Sequence, residues 1–315
     1  MDMSGYVGID VSKDRLDVCI LPQDERFSVG RNAGGLGELV ERLRPVVPKL
    51  VVVEATGGFE KVVAASVAAA ALPMVVVNPA QVRHYAQALG KRAKTDPIDA
   101  YVLARFASDV RPEARELPDE MTQFLSDLVS RRRQIVEMLG AERQREQRAS
   151  LKRVRQSIAR LVKALEKELS EIDQQIDDAV RGSPVWREKE NLLASVPGVG
   201  PQTARVLLAE LPELGTMGRR EISSLAGLAP FVRQSGMWRG KSRIGGGRKT
   251  VRSALFIAGM VAARFNPVLK AFYKRLLESG KAKLPALVAV ARKLLTILNA
   301  VLRDRKPWQT VDVPV

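Results

Sequence analysis

The first 112 residues alternate short apolar runs with segments in which apolar residues recur at helical spacing. Strands are predicted at residues 6–9, 15–21, 27–30, 49–53 and 74–77, and helices at residues 36–43, 59–71, 80–89 and 99–107. The runs at 49–53 and 74–77 are almost wholly apolar, which is typical of strands buried on both faces of a parallel sheet. Because strand–helix–strand units recur, we predict an α/β domain with a partly parallel sheet and right-handed crossovers.

Residues 113–185 have a different pattern, with many charges and no proline between Pro118 and Pro184. In the second half of this segment, apolar residues step by three or four positions in a heptad-like seam. The seam consists of Ile158, Leu161, Leu165, Leu169, Ile172 and Ile176, and an earlier helical face consists of Leu125, Leu128, Ile135 and Leu139. We predict two long helices, packed as an antiparallel pair, as a dimerising coiled coil or as one face of an ordinary bundle.

The remainder of the chain is predicted to be mainly helical, so that the chain has three parts with boundaries at 1–112, 113–185 and 186–315. A glycine-rich turn at residues 195–201 precedes an Ala- and Leu-rich helix, an arrangement similar to a helix-hairpin-helix. The backbone N–H groups of such a turn suit a DNA phosphate. A plain helix cap is the alternative interpretation.

The balance of charge indicates the kind of partner. The chain has 315 residues, with 51 Lys and Arg against 35 Asp and Glu, and its net charge is +16. This excess favours a polyanion, and nucleic acid is the first candidate because Lys and Arg neutralise its phosphates. A membrane-surface role is disfavoured, since the basic residues are dispersed rather than gathered on one amphipathic anchor.

Two rare residue types exclude several classes of site. Cys19 is the single cysteine and lies in an apolar run, so we expect a buried structural thiol and no disulfide within the chain. His84 is the single histidine, which excludes Ser-His-Asp triads and multi-histidine metal sites. The N-terminal residues lack the pattern of a signal peptide, and no apolar run reaches the ~18 residues of a membrane span. We therefore expect a cytoplasmic protein without a membrane partner.

Four acidic residues stand where a strand ends or a helix begins: Asp10, Glu54, Asp96 and Asp99. Carboxylates gathered from separate elements bind Mg²⁺ or another hard divalent cation such as Mn²⁺, which keeps positions open for phosphate oxygens. A pair of such ions can clamp the attacking and leaving oxygens of a phosphodiester. The order of these acids along the chain matches an RNase H-like site. For Asp96, which precedes Pro97, a simple helix cap is the alternative.

Other interpretations of the same region are weaker. We interpret Asp14 and Asp17 as surface residues, although Asp17 could face the site. The segment Gly-Ile-Asp-Val-Ser-Lys can also be interpreted as the first phosphate-binding loop of an actin-like sugar kinase, a class of protein that shares the RNase H-like fold. That interpretation is disfavoured because Val11 and Lys13 stand where such loops favour small and hydroxyl residues.

A second cluster of candidate residues surrounds Ser235, which precedes a glycine in a strongly basic stretch. A serine hydroxyl becomes a useful nucleophile only when a base or a stabilising charge lies nearby. Guanidinium groups could hold a scissile phosphate and stabilise charge in the transition state. The alternative is a basic DNA-contacting loop in which Ser235 only donates a hydrogen bond to a phosphate.

These motifs together resemble a known family. The resemblance rests on the motifs Gly-Ile-Asp-Val-Ser-Lys, Glu-Ala-Thr-Gly-Gly and Lys-Thr-Asp-Pro-Ile-Asp-Ala. It also rests on a later block that contains Pro-Gly-Val-Gly, Gly-Leu-Ala-Pro and Ser-Gly. The chain is similar over nearly all its length to transposases of the insertion-sequence one-ten family, the bridge-RNA-guided DNA recombinases. The resemblance implies an RNase H-like (RuvC-like) N-terminal domain, a long helical coiled-coil connector and a mainly α-helical C-terminal transposase domain.

The resemblance also implies a mechanism. Asp10, Glu54, Asp96 and Asp99 correspond to the family's acidic quartet, which would hold Mg²⁺ or Mn²⁺. Ser235 corresponds to its nucleophile, which would form a covalent phosphoserine link to DNA, and Ser242 is the fallback. The implied partners are donor and target DNA, a non-coding bridge RNA and further copies of the chain. The copies would form a dimer, or a tetramer on DNA, in which each active site combines the RuvC-like domain of one subunit with the transposase domain of another. A bacterial, nucleoid-associated location follows.

Basic residues near both clusters are expected to contact nucleic-acid backbones. They are Lys91, Arg92, Lys94, Arg233, Arg239, Lys241, Arg243, Arg248 and Lys249. Two rival functions remain open. One is a RuvC-like metal-dependent resolvase or nuclease that uses water as the nucleophile, and the other is a non-catalytic nucleic-acid scaffold or RNA-binding regulator.

Overall fold

A computed structural model describes residues 5–90, 96–113, 119–232, 234–235, 238–240 and 242–309 of the chain. It divides into two compact units, Met1–Leu117 and Pro118–Val315. The predicted basic residues Lys91, Arg92, Lys94, Arg233 and Lys241 lie outside the described residues.

The first unit is built on a five-stranded sheet. Its strands are β1 (Tyr6–Val11), β2 (Arg15–Leu21), β3 (Glu25–Gly30), β4 (Leu50–Glu54) and β5 (Met74–Val77). Its helices are α1 (Ala33–Leu43), α2 (Glu60–Ala69), α3 (Pro79–Ala88) and α4 (Asp96–Val110), with a 3₁₀ turn at Arg44–Val46. The strand order is β3-β2-β1-β4-β5; β1, β2 and β3 pair antiparallel, whereas β4 and β5 continue parallel to β1. This order confirms the predicted RNase H-like fold.

Helices cover both faces of this sheet. On one face, α1 and α2 contribute Leu39 and Val63 to a core with Ile9. On the other face, α4 packs so closely that a Cβ on Gly8 would lie 2.2 Å from the carbonyl oxygen of Ala100. No side chain fits between β1 and α4 at this position, so Gly8 fixes the helix directly on the sheet.

The second unit is mainly helical, as predicted. Its helices are α5 (Glu120–Arg148), α6 (Lys152–Gly182), α7 (Pro184–Ala194), α8 (Pro201–Glu210), α9 (Arg219–Leu225), α10 (Lys249–Phe265), α11 (Pro267–Glu278) and α12 (Lys283–Asp304). Four two-residue strands stand between α9 and α10: β6 (Pro230–Phe231), β7 (Gln234–Ser235), β8 (Trp238–Arg239) and β9 (Arg243–Ile244). They form two short antiparallel ladders, β6 with β9 and β7 with β8. The sequence predicted no strands here, because two-residue ladders carry no recognisable periodicity.

Helices α5 and α6 form an antiparallel pair within the chain, the first of the three predicted arrangements. Two ion pairs show the direction, since Arg132 contacts Asp173 at 2.6 Å and Arg143 contacts Glu166 at 2.7 Å. Their inner ends join the core of the second unit through residues such as Ile176, which is fully buried. A dimerising coiled coil and the boundary at residue 185 stay predictions.

Helix α12 is central to the second unit. By length and mean hydropathy it is apolar enough to cross a membrane, but 44% of its most apolar window is buried inside the unit. Its inward residues pack with α10 and α9 in one hydrophobic core, as the core helix of a folded domain does. These residues include Val290, Ala291, Leu294 and Leu298.

The segment predicted to resemble a helix-hairpin-helix folds as α7, a glycine-rich turn and α8, and its assignment to that motif stays a prediction. Gly198 has φ +104°, and a Cβ there would lie 2.6 Å from that of Ala262 on α10. Pro201 occupies the first turn of α8, a position where its missing N–H costs nothing. The turn is therefore packed against α10, and its role in binding a DNA phosphate stays a prediction.

Candidate active site

The predicted acids Asp10 and Glu54 lie on adjacent central strands. The pairing of Ile9 with Val53 places them side by side, one residue beyond that pair on parallel strands. Side chains alternate between faces along a strand, so Asp10 shares the face of Gly8, which contacts α4. Glu54 shares the face of Val52, which packs with residues of α4. Both carboxylates therefore leave the sheet on the side that α4 covers.

Helix α4 brings its first turn to the same end of the sheet. The guanidinium of Arg111, just after the helix, stacks on Tyr6 at the start of β1, whereas Ala100 and Ala104 contact Gly8 two residues later. The helix therefore runs antiparallel to β1, and its N-terminal end lies towards the C-terminal end of that strand. Asp99 is the fourth residue of α4, and the backbone of Asp96 begins it.

These placements bring three of the four predicted acids, Asp10, Glu54 and Asp99, towards one end of one sheet face. Asp10, Glu54 and Asp99 are half-buried, and each takes part in interactions within the fold. The side chain of Asp96 lies outside the described residues. Among the side chains that are described, no group of three acidic, histidine or cysteine residues is arranged to hold a metal ion. Binding of a metal by this quartet accordingly belongs to the proposals below.

Asp17 is buried next to these acids, contrary to the expectation of a surface residue. It pairs directly with Asp10 across β1 and β2 and is only 4% exposed. Its carboxylate accepts hydrogen bonds from Arg15 Nε at 3.0 Å and Nη2 at 2.5 Å, and from the Ser28 hydroxyl at 2.6 Å. Asp14, by contrast, is exposed as expected. Because β2 is buried continuously from Leu16 to Ile20, its burial does not alternate, and the sequence pattern gave no clear signal for Asp17.

Glu60 orders the loop that follows Glu54, a role that the sequence analysis missed. Its Oε2 accepts hydrogen bonds from the backbone N–H of Gly58 at 2.8 Å and of Thr56 at 3.0 Å, and from the Thr56 hydroxyl at 3.2 Å. Burial by itself would raise the pKa of Glu60, but these donors together hold the pKa below its ordinary value of 4.5. The sequence did contain a signal for this role, because Glu60 follows Gly57-Gly58 in the first turn of a predicted helix, where an acid can bind free backbone N–H groups.

Cys19 is a buried thiol, as expected. Its side chain is fully inaccessible beside Ala100 and Ala104, under α4. Burial, reinforced by the nearby Asp24 carboxylate, raises the pKa of the thiol to about 11. The thiol is therefore protonated at neutral pH and is no candidate nucleophile.

Ser235 lies in the second unit, on a short ladder between α9 and α10. It pairs with Trp238, and the ladder of β6 with β9 flanks this segment on both sides. Its side chain is exposed, as is that of the fallback residue Ser242. The backbone of Arg239 pairs with that of Gln234, while the side chain of Arg239 lies outside the described residues.

The basic residues around the serine differ in their surroundings. Arg243 and Lys249 are exposed. Arg248 instead donates to both carboxylate oxygens of Glu213, at 2.5 and 2.7 Å, and to the Glu210 carbonyl at 3.1 Å. Its charge is therefore already compensated within the fold, which nothing in the local sequence indicated because the two acids lie more than thirty residues away.

The structure thus combines an RNase H-like unit that has acids at one end of its sheet with a mainly helical unit that has an exposed serine. A family model described as "Transposase" matches residues 7–174, and one described as "Transposase IS116/IS110/IS902 family" matches residues 190–274. The chain belongs to the IS110 family of transposases. It is accordingly an enzyme that cuts and rejoins DNA.

Three similar proteins illustrate this relationship. The chain is 30% identical over 314 residues to a pilin gene-inverting protein of Moraxella bovis, covering 96% of this chain and 97% of that protein. It is 28% identical over 203 residues to an uncharacterized 43.6 kDa protein of insertion element IS110 of Streptomyces coelicolor, covering 64% of this chain and 47% of that protein. A solved structure of T. thermophilus RuvC in complex with Holliday junction substrate is 17% identical, with a TM-score of 0.26, over 36% of this chain and 99% of RuvC. The assignment of the fold rests on the strand order.

Proposed function

We propose that this transposase is a bridge-RNA-guided recombinase that cuts and rejoins donor and target DNA through a covalent link to Ser235. The observation that carries the proposal is the placement of Asp10, Glu54 and Asp99 at one end of one sheet face, in a chain that also presents an exposed serine in a basic segment. The family membership of the chain supports the same conclusion.

In the proposed reaction, the Ser235 oxygen attacks a phosphorus atom of the DNA backbone. A bond forms between Oγ and phosphorus as the serine hydroxyl gives up its proton. The phosphoester bond to one side of the strand breaks, and the released DNA oxygen takes up a proton, so that the net number of protons is unchanged. Rejoining reverses these events when a DNA hydroxyl attacks the phosphoserine. The link conserves the energy of the broken phosphodiester, so no nucleotide cofactor is required.

The donor set of the acidic quartet fits a hard divalent cation, because all four residues are carboxylates. Asp10, Glu54, Asp96 and Asp99 would hold Mg²⁺ or Mn²⁺, which when bound supplies positive charge beside the phosphate. Next to them, Asp17 and Ser28 orient the Arg15 guanidinium, whose side chain is 53% exposed. Asp17 compensates the charge of this guanidinium, so we expect it to offer a substrate phosphate hydrogen bonds rather than a net positive charge.

Assembly is proposed to complete the site, with the acid-bearing unit of one copy acting together with the serine-bearing unit of another, in a dimer or in a tetramer on DNA. The outer part of the α5–α6 pair supports such assembly, because its apolar side chains remain exposed. They are Val136, Met138, Leu151, Val154 and Leu161. The net charge of +16 supports binding of both RNA and DNA backbones, so that base pairing would select the sites.

A second candidate is a metal-dependent resolvase or nuclease with water as the nucleophile. It is favoured by the acids alone, since an RNase H-like unit can direct water at a phosphodiester without any serine. This candidate predicts cleaved DNA with free ends and activity that survives the loss of Ser235.

A denaturing gel of the full chain with the element's RNA, labelled donor and target DNA and Mg²⁺ separates the two candidates. We expect a DNA-linked protein band that survives denaturant in the native protein and in Ser242→Ala, the matched control. The band should disappear in Ser235→Ala and in Asp10→Asn. Persistence of the band in Ser235→Ala would overturn the assigned nucleophile, and cleavage without a band would favour the resolvase.

A further inference from the structure

A cavity of about 540 Å³ lies in the second unit, between α9, the start of β6 and α12. Its volume is within the range of about 300–1,000 Å³ that is typical of ligand sites. Half of the residues that line it are arginines. The lining consists of Arg219, Arg220, Ser223, Ala229, Pro230 and Arg292.

None of the described residues that line this cavity is acidic. Arg205 and Arg248, elsewhere in the same unit, are neutralised by Glu190 and Glu213 respectively. The three cavity arginines, by contrast, have no carboxylate partner in the part of the chain that the structure describes. Arg219 and Arg220 are exposed and Arg292 is half-buried, so water screens the repulsion between their charges, and an anion bound among them would be attracted by all three.

The acid next to the cavity arginines in the sequence is already engaged within α9. Glu221 lies on α9 between the cavity arginines and Ser223, but its carboxylate accepts a hydrogen bond from the Gly218 N–H at 3.0 Å and caps the helix. Ser223 is buried, and its hydroxyl donates to the Arg219 carbonyl at 2.8 Å. The polar groups that remain for a ligand are therefore the guanidinium donors, which match the oxygens of a phosphate.

The cavity lies at the base of the segment that carries Ser235. Pro230 lines the cavity and begins β6, and Ser235 is five residues further along the chain. Because an extended chain spans at most about 3.6 Å per residue, these two residues are at most about 18 Å apart. A strand held in the cavity would thus have phosphates only a few nucleotides from the serine, since successive phosphates on one DNA strand rise by about 3.4 Å.

We propose that Arg219, Arg220 and Arg292 form a binding site for the phosphodiester backbone of nucleic acid, a few nucleotides from the bond on which Ser235 acts. The site rests on the proposed function in that it takes nucleic acid as its ligand. Its chemistry is common to DNA and RNA, so the source of the backbone is decided by experiment.

The test measures equilibrium binding of the full chain to labelled single-stranded DNA, to RNA of the same sequence and to duplex DNA, over a range of salt concentrations. The variants are Arg220→Gln on α9 and Arg292→Gln on α12. The matched control is Arg303→Gln, which removes the same charge from α12, but at a residue that is paired with Asp304 and does not line the cavity. Thermal unfolding of each variant checks the fold, and Arg220→Gln carries the test if Arg292→Gln unfolds.

Loss of one phosphate contact should weaken binding roughly tenfold. It should also reduce the slope of log Kd against log salt by about 0.7 for a single strand or about 0.9 for a duplex. A reduced slope with DNA, with RNA or with both supports the site and names its source, provided that Arg303→Gln keeps the native slope. If Arg220→Gln and Arg292→Gln leave the salt slope unchanged with all three nucleic acids, the proposed phosphodiester-binding site is wrong. The outcome is independent of whether a covalent Ser235 link is found, so the two proposals fail separately.

Discussion

Asp17 illustrates how a single buried carboxylate can organise its neighbours. It lies directly opposite Asp10 and is held by Arg15 from its own strand and by Ser28 from β3. The position of Asp17 could not be derived from the sequence, because the cross-strand register decides whether an acid meets partners or solvent. Glu60 depends similarly on the path of the loop that it binds.

Replacing Asp17 by Asn should remove the charge-assisted bonds from Arg15 and leave a buried group poorly paired. We expect the free energy of unfolding to fall by about 1–3 kcal/mol, measured by urea denaturation. The control is Asp14→Asn on the exposed turn, which should change the free energy by less than about 0.5 kcal/mol. Equal effects of the two substitutions would show that the Arg15–Asp17–Ser28 contacts contribute nothing specific.

Glu60 should make stability depend on pH. Since its folded pKa lies below the ordinary value of 4.5, its contribution is present above the unfolded pKa and is lost as the pH falls through the folded pKa. Glu60→Gln should lower the free energy of unfolding by about 1 kcal/mol at pH 7, and by progressively less below pH 4.5. Urea denaturation of both proteins across this range measures the difference, and a difference that does not change with pH would contradict the assignment.

At the scale of elements, strands with flanking turn residues were the most predictable. The predicted bounds of β2 and β5 agree with Arg15–Leu21 and Met74–Val77, because each apolar run is bounded by polar residues or proline. Helix α4 was predicted at residues 99–107 but extends over Asp96–Val110, because the apolar spacing on which the prediction rested does not mark the ends of a helix. The arginine cavity was not predictable, because α9 and α12 are far apart in the sequence and meet only in the folded unit.

The contact between α4 and β1 predicts a large effect of one methyl group. Gly8→Ala should displace α4, and with it Asp99, because the new Cβ would lie 2.2 Å from the Ala100 carbonyl oxygen. We expect a loss of at least about 1–3 kcal/mol in the free energy of unfolding and impaired DNA cleavage. The control is Gly140→Ala in α5, where nothing lies within 4 Å of the new Cβ. That substitution should stabilise the helix by about 0.5–1 kcal/mol. Native-like stability and cleavage in Gly8→Ala would contradict the packing described.

At the scale of the whole molecule, the two units carry complementary parts of one proposed reaction. The first unit holds carboxylates at a sheet end. The second presents Ser235 in a basic segment five residues after Pro230, which lines the arginine cavity. The placement of the acid motifs and the serine motif in separate units could be predicted from the sequence, because the two sets of motifs lie in segments of different periodicity. The sequence could not predict which arginines have their charge neutralised by a carboxylate, because Arg205 and Arg248 are paired with acids that lie outside their own helices.

The most direct test of the central claim is to locate the attached DNA by mass spectrometry. The reaction with RNA, DNA and Mg²⁺ is denatured, digested with nuclease and then with trypsin, which cleaves after Lys and Arg. The sequence places Ser235 as the single serine of the peptide Gln-Ser-Gly-Met-Trp-Arg, whereas Ser242 falls in the separate dipeptide Ser-Arg. We predict that the residual nucleotide is found on the first peptide in the native protein and is absent from Asp10→Asn. A nucleotide on any other peptide, or cleaved DNA with no modified peptide, would contradict the account.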